Sequence, residues 1–125
     1  ISFRASILSN ALVSQGTAVG LLIADKSGYH ILSCNSNLYN VRLPALSQGE
    51  VLIISWDVNW PFHGGEFRID IGLKPDPFAD AFYDRVFCAA TLSTQTPKRL
   101  LQENFGGFFH IPADIKINHN NKLTA

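Results

Sequence analysis

The chain has 125 residues, of which 46% are hydrophobic and 16% charged, and its basic and acidic residues balance. This length suits one domain with an ordinary core, and the balanced charge argues against a nucleic-acid-binding surface. No apolar run approaches the roughly 20 residues of a membrane span, and we expect no secretory signal. Because the chain opens on Ile1 without Met and enters a strand-like pattern at once, we expect it to be a piece of a longer polypeptide.

The first half of the chain reads as strands. Residues 1–8 alternate between apolar and polar side chains, as a half-buried strand does. Residues 18–24 are continuously apolar, which indicates a strand buried on both faces. Residues 25–28 (DKSG) then form a turn, and residues 29–34 return as the partner strand. This is the strongest local hairpin signal in the sequence.

The second half continues the pattern. Two alternating runs, residues 51–58 and 67–73, flank the Gly64-Gly65 pair and predict a second antiparallel hairpin. Further elements are a strand over 82–92, one or two helical turns within 97–104 and a closing extended segment over 108–117. The fold class predicted is all-β: an immunoglobulin-like or jelly-roll antiparallel β-sandwich of about seven to nine strands over residues 1–117, followed by a polar tail over 118–125.

No catalytic or metal-binding pattern stands out. The four histidines lack the spacing of a metal site, and the nucleophile-elbow, P-loop and Rossmann motifs do not occur. We therefore expect a binding domain that is not an enzyme, with no metal and no cofactor. Cys34 and Cys88 each lie within a strand-like run and are expected to be reduced thiols.

Polar residues on the outward parity of the second hairpin are the leading binding candidates. In the run 67–73, Arg68 and Asp70 face away from the apolar side chains, and such groups make paired hydrogen bonds to neighbouring hydroxyls. Ser55 and Asp57 hold the same parity on the preceding strand, which we expect to be the neighbour in the same sheet. Second-rank candidates in the preceding loop are Tyr39, Asn40 and Arg42. The alternative is a solvated outer face with a modest cross-strand ion pair.

The order of several motifs resembles a known family. These are Asp25-x-x-Gly28, the loop Asn35–Asn37, Leu43-Pro44-x-Leu46, Gly49-Glu50, Gly65-x-Phe67, Tyr83-Asp84 and the closing run Gly107-Phe108-Phe109-His110-Ile111-Pro112-Ala113. Together they resemble the C-terminal domain of the Wzt-type nucleotide-binding subunit of O-antigen ABC transporters. The resemblance spans nearly the whole chain. One departure is Ser36, where the family usually has Thr. Because loop and outer-face residues set which glycan is bound, the identity of the glycan stays open.

The resemblance implies a carbohydrate-binding β-sandwich at the cytoplasmic face of the bacterial inner membrane. Such a domain follows an ATPase domain that this chain lacks, and it works with a transmembrane permease subunit. It implies binding to the non-reducing terminal region of a lipid-linked O-antigen polysaccharide, which gives the exporter its substrate specificity. It also implies a homodimer with an exchanged closing strand, in which Phe109 and Ile111 would fill the partner's core.

Two other functions fit the same sequence. One is a structural or protein-interaction sandwich without a glycan ligand, which would present a flat outer face rather than a concave one. The other is an appended binding module of a secreted polysaccharide hydrolase, in which Cys34 and Cys88 would be oxidised to a disulfide.

Overall fold

The computed structural model describes residues 1–62, 64–96 and 113–118. Six strands and one short 3₁₀ helix lie within these ranges. The strands are β1 (Ser2–Leu8), β2 (Ala18–Ala24), β3 (His30–Ser33), β4 (Val51–Asp57), β5 (Gly65–Lys74) and β6 (Asp84–Thr94), and the 3₁₀ helix is Ser36–Tyr39. The predicted all-β class is therefore confirmed.

The strands form two antiparallel sheets that pack face to face. One sheet pairs β1 with β4, and the other has the order β3-β2-β5-β6. Their inner faces share one core, in which the buried residues come from the four-stranded sheet and from the residue that follows β3: Leu21, Ile23, Cys34, Phe67 and Ile69. Phe3 and Trp56 pack against this core from the two-stranded sheet.

The first predicted hairpin is confirmed. β2 and β3 pair antiparallel, and the Asp25 side chain organises the turn between them by accepting the backbone N–H groups of Ser27 and Tyr29 at 2.9 and 3.0 Å. Gly28 has a φ of +90°, a conformation that side chains disfavour. The continuous apolar run of β2 also has its predicted explanation, because β2 lies between β3 and β5 and is buried on both faces.

The second predicted hairpin is wrong. β4 pairs with β1, from Ser2↔Asp57 to Leu8↔Val51, while β5 lies in the other sheet between β2 and β6. The chain crosses between layers after Asp57, and Trp60 fills this crossing, with ring centroids 6.5 Å from Phe3 and 4.9 Å from Phe67. Aromatic residues before the Gly64-Gly65 pair thus pack between the two sheets, where a tight turn was expected.

The last strand in the described ranges is β6, which begins at Asp84 rather than residue 82. The predicted helical turns over 97–104 and most of the predicted closing segment lie outside the described residues. Residues 113–118 belong to neither a helix nor a strand. The predicted count of seven to nine strands therefore stays a prediction beyond the six described here.

Candidate functional site

The outer face of the four-stranded sheet centres on a buried carboxylate. Asp70, in the middle of β5, is only 2% exposed although it lies on the face away from the core. Arg68 binds it with two hydrogen bonds of 2.9 Å, from Nε to Oδ1 and from Nη2 to Oδ2. His30 Nε2 lies 3.0 Å from Oδ2, and the backbone N–H of Cys88 donates to Oδ1 at 2.7 Å. Each oxygen therefore has two partners.

The donor at Cys88 exists because β6 bulges opposite Asp70. Ile69 pairs with Ala90 and Ile71 pairs with Val86, so three residues of β6 lie opposite one residue of β5. Cys88 lies at the centre of this bulge with a φ of +54°, a left-handed conformation uncommon for a residue with a side chain. Because of the bulge, the backbone N–H of Cys88 points at the carboxylate. In a regular ladder it would donate to a carbonyl of the neighbouring strand.

These contacts keep Asp70 ionised. Burial alone would raise the pKa of the carboxyl group, but the hydrogen bonds from Arg68, Cys88 and His30 and the charge of Arg68 outweigh that effect and lower the pKa to about 2. The hydrogen bonds with Asp70 in turn raise the pKa of Arg68. At neutral pH the cluster is thus a charged, hydrogen-bonded structural element.

The structure changes the expected roles of Arg68 and Asp70. The two side chains do lie side by side on one face, as predicted. However, Asp70 is buried and its four acceptor positions are already filled, so no lone pair is left for a sugar hydroxyl. The interpretation of Asp70 as a solvent-facing ligand contact is therefore wrong. Arg68 remains partly exposed, with a third of its side chain accessible.

Two grooves flank the Asp70 cluster on this sheet face. The first, which we call the Arg68 groove, has a volume of about 410 Å³, and the polar residues of its lining are Asp25, Lys26, Glu66, Arg68, Thr91 and Ser93. The second, the Gly72 groove, has a volume of about 200 Å³ and is lined by Gly20, Asn35, Gly72, Lys74, Phe82 and Arg85. The outer face is concave on both sides of the cluster rather than flat.

Paired glycines form the floor of the Gly72 groove. Gly20 on β2 lies directly opposite Gly72 on β5. A Cβ on Gly20 would come within 2.8 Å of Asn35 Oδ1, and a Cβ on Gly72 within 2.9 Å of the Phe82 ring. Both distances are shorter than real Cβ contacts, so these glycines let Asn35 and Phe82 approach the sheet. The Asn35 oxygen is itself buried and has no hydrogen-bond partner among the described residues.

Ser55 and Asp57 do not join Arg68 and Asp70. They lie on the outer face of β4, in the other sheet, because β4 pairs with β1. They line a separate cavity of about 430 Å³ together with Tyr39, which we call the Tyr39 groove. The predicted single patch across two neighbouring strands is therefore wrong. Asp57 accepts a hydrogen bond from the Ser2 hydroxyl across the β1–β4 pair.

The other loop candidates lie apart from these grooves. Asn40 and Arg42 are both exposed and line none of the three grooves. Asn40 ends the 3₁₀ helix with a φ of +57°, and its backbone N–H bonds back to the helix. Asn40 and Arg42 were predicted as candidates because they lie in a polar loop, whereas Lys74, Phe82 and Arg85 in the Gly72 groove were missed. No short-range signal links β5 to β6 across the proline-containing segment that separates them.

Other kinds of site have no support in the described part of the chain. Cys34 is buried and Cys88 exposed, and both are free thiols. No cluster of three or more His, Cys, Asp or Glu side chains is placed to hold a metal ion within residues 1–62, 64–96 and 113–118. Over the same residues, no helix has the length and apolar character needed to cross a membrane.

Comparisons with known proteins agree with the observed fold. No curated protein sequence matches the chain. A solved structure described as "Crystal structure of the C-terminal domain of wzt" is similar in fold, with a TM-score of 0.77 and 17% sequence identity over 94% of this chain and 69% of that one. The family model for the Wzt C-terminal domain matches residues 1–111. Since that match covers most of the chain, the protein belongs to the Wzt C-terminal domain family.

Proposed function

We propose that this domain binds the non-reducing terminal region of a lipid-linked O-antigen polysaccharide and gives substrate specificity to its export. Membership of the Wzt C-terminal domain family associates the chain with an O-antigen ABC transporter. The observation that carries the proposal is the concave outer face of the four-stranded sheet, where two grooves with charged and polar lining residues flank the Asp70 cluster. A protein-interaction sandwich without a ligand would be expected to present a flatter face.

The chemistry of the Arg68 groove suits hydroxyl-rich ligands. It offers guanidinium and ammonium donors from Arg68 and Lys26, carboxylate acceptors from Asp25 and Glu66, and hydroxyls from Thr91 and Ser93. Sugar hydroxyls act as both donors and acceptors, so a mixed lining of this kind can satisfy them. Because Asp70 fixes two of the three guanidinium nitrogens of Arg68, the remaining nitrogen is held in a defined position for a ligand.

A binding experiment on the isotopically labelled domain tests this proposal. O-polysaccharide fragments with and without their terminal cap are titrated while backbone amide shifts are recorded by NMR. We expect weak binding, with dissociation constants of roughly tens of micromolar to millimolar, and shifts confined to the outer faces of β2, β5 and β6. Thr91→Val should weaken binding, and Asp57→Asn, in the other sheet, is the matched control. The proposal fails if no fragment binds or if the shifts map to the Tyr39 groove.

The transporter setting defines the expected partners and place. We propose that the domain acts at the cytoplasmic face of the bacterial inner membrane, attached peripherally through its own ATPase domain and the permease subunit. In this setting it binds its ligand without catalysis and without a cofactor, since ATP hydrolysis belongs to the ATPase domain.

We further propose that the domain works as a homodimer through its C-terminal strand. A cavity of about 880 Å³ lies between β1 and β6, with apolar lining residues that include Ile7, Ile71 and Val86. Ile115 and Ile117 are each 87% exposed and alternate with Asp114 and Lys116, as in a strand that lacks its partner. The predicted core-filling residues Phe109 and Ile111 lie outside the described residues.

Truncation tests the dimer. Deleting everything after Gly107 should give an unstable or aggregating protein, since the apolar cavity would lose the strand that we propose covers it. Light scattering and circular dichroism report the outcome, with deletion of residues 119–125 as the control. A stable, folded monomer after the longer deletion would refute the strand exchange.

A further inference from the structure

The Gly72 groove contains two cations held by one aromatic ring. Lys74 Nζ lies 4.7 Å from the centroid of Phe82, and the guanidinium carbon of Arg85 lies at the same distance from it. Arg85 also lies 4.4 Å from the Phe87 ring. The aromatic rings therefore serve as supports that fix the position of the two charges.

Neither cation has a carboxylate partner among the described residues. The ion pairs there join Lys26 with Glu66, and Asp70 with Arg68 and His30. Two positive charges gathered around one ring repel each other, and a bound anion would relieve that repulsion. Lys74 and Arg85 thus form a pair of positive charges without a matching carboxylate in the described part of the chain.

The sheet register places both cations on the outer face. Arg85 lies opposite Gly72, and Lys74 follows Gly72 by two residues on the same face of β5. Asp84 directly precedes Arg85, so it points to the other side of the sheet, where it lines the cavity between β1 and β6. Asp84, the acid nearest to Arg85 in the sequence, therefore does not neutralise this groove, and Asp76, two residues after Lys74, does not line it.

Among the described residues, Asp70 is the one acidic residue that lines the Gly72 groove. Its charge is matched by the bidentate contact with Arg68, and all four of its acceptor positions are filled. The unmatched charge of the groove is therefore positive. Asn35 and Asn37 line the same groove and supply amide groups suited to hydroxyls.

We propose that the Gly72 groove binds an anionic sugar residue, with Lys74 and Arg85 contacting its carboxylate or phosphate and the asparagines contacting its hydroxyls. This inference rests on the proposed glycan-binding function and narrows it to acidic glycans. The groove volume of about 200 Å³ lies below the ~300–1,000 Å³ of typical ligand pockets, which suits one sugar residue rather than an oligosaccharide.

Titration of the labelled domain with four probes tests the proposal. The probes are methyl glucuronide, glucose 6-phosphate, methyl glucoside and inorganic phosphate. We expect saturable amide shifts at Gly20 and Gly72 with at least one of the two anionic sugars, the glucuronide or the sugar phosphate. The neutral glucoside should give no saturable shift. Binding should also weaken as ionic strength rises.

Charge-neutralising variants give the matched comparison. Lys74→Gln and Arg85→Gln should each weaken binding of the anionic sugar roughly tenfold, as expected for loss of one charge-assisted contact. Arg42→Gln, at an exposed arginine that lines none of the three grooves, should leave the affinity unchanged. Gly72→Ala keeps both charges but displaces the Phe82 ring that holds them, and it should weaken binding as well. Circular dichroism shows whether each variant is folded.

The outcomes separate this inference from the broader function. Equal binding of glucoside and glucuronide, or unchanged affinity in the folded Lys74→Gln and Arg85→Gln variants, would overturn the anionic site. Inorganic phosphate that binds as tightly as both anionic sugars would overturn the sugar part of the proposal. If the O-polysaccharide fragments bind both variants like the wild type, the acidic site fails while the glycan-binding function stands. If glucuronide binds but no O-polysaccharide fragment does, the acidic site stands while the proposed O-polysaccharide-binding function fails.

Discussion

Asp70 on β5 and Asp57 on β4 have the same place in the sequence pattern but different environments. Each lies on the polar parity of an alternating strand, and each faces away from the core. Asp70 is almost fully buried and accepts four hydrogen bonds. Asp57 is exposed, and Ser2 is its hydrogen-bond partner.

The difference follows from what surrounds each strand. β5 lies between β2 and β6, so side chains from neighbouring strands and the bulge at Cys88 close over Asp70. β4 has only β1 beside it in the described sheet, and Asp57 is exposed there. Alternation therefore tells which face a residue occupies, but the number of neighbouring strands decides whether that face is buried.

The largest expected effect is the loss of the Asp70 carboxylate. Asp70→Ala removes the partner of Arg68 and leaves the backbone N–H of Cys88 without its acceptor. We therefore expect a loss of about 3 kcal/mol in the free energy of unfolding. Asp57→Ala should change it by less than about 0.5 kcal/mol, as surface substitutions usually do. Urea denaturation of both variants measures the contrast. Equal effects of the two substitutions would show that the environments do not differ as described.

The pH dependence of stability sharpens the same comparison. Because folding lowers the pKa of Asp70 to about 2, its stabilising contribution is complete above about pH 4 and disappears as the pH falls through 2. The difference in unfolding free energy between wild type and Asp70→Asn should therefore shrink by about 2 kcal/mol between pH 5 and pH 2. Asp57→Asn should show no comparable change. A constant difference for Asp70→Asn across this range would contradict the lowered pKa.

The smallest expected effect concerns the bulge that covers Asp70. Cys88→Gly keeps the backbone donor and relieves the left-handed conformation, at the cost of a more flexible unfolded chain. We expect a gain of up to about 1 kcal/mol by thermal denaturation. Asn40→Gly is the matched control, since Asn tolerates the same conformation better and should gain less. A large loss for Cys88→Gly would mean that its side chain, rather than its backbone, supports the cluster.

Local patterns predicted the parts of the fold that depend on neighbours in sequence. The β2–β3 hairpin and the inward faces of β4 and β5 were predicted correctly, because turn chemistry and period-two alternation act over a few residues. The partner of β4 was predicted wrongly, because Gly64-Gly65 resembles a hairpin turn. In the structure, Trp60 packs against Phe3 and Phe67 where the chain crosses between the layers.

The candidate site was predicted in part. Arg68 was correctly placed beside Asp70, since that signal is local. The cation pair of Lys74 and Arg85 was missed, because it forms only when β5 and β6 align across the proline-containing segment. Ser55 and Asp57 were assigned to the wrong patch for the same reason as β4 itself.

By itself, the sequence determined the all-β class, most of the strands and the face to which each side chain points. These features follow from alternation, turn residues and the places where proline cannot pair. Only the tertiary structure decided which strands are neighbours, that Asp70 is buried and that two cations meet beside Gly20 and Gly72. Strand pairing and side-chain coverage depend on contacts between residues far apart in the chain, and no local pattern encodes which of several similar strands will meet.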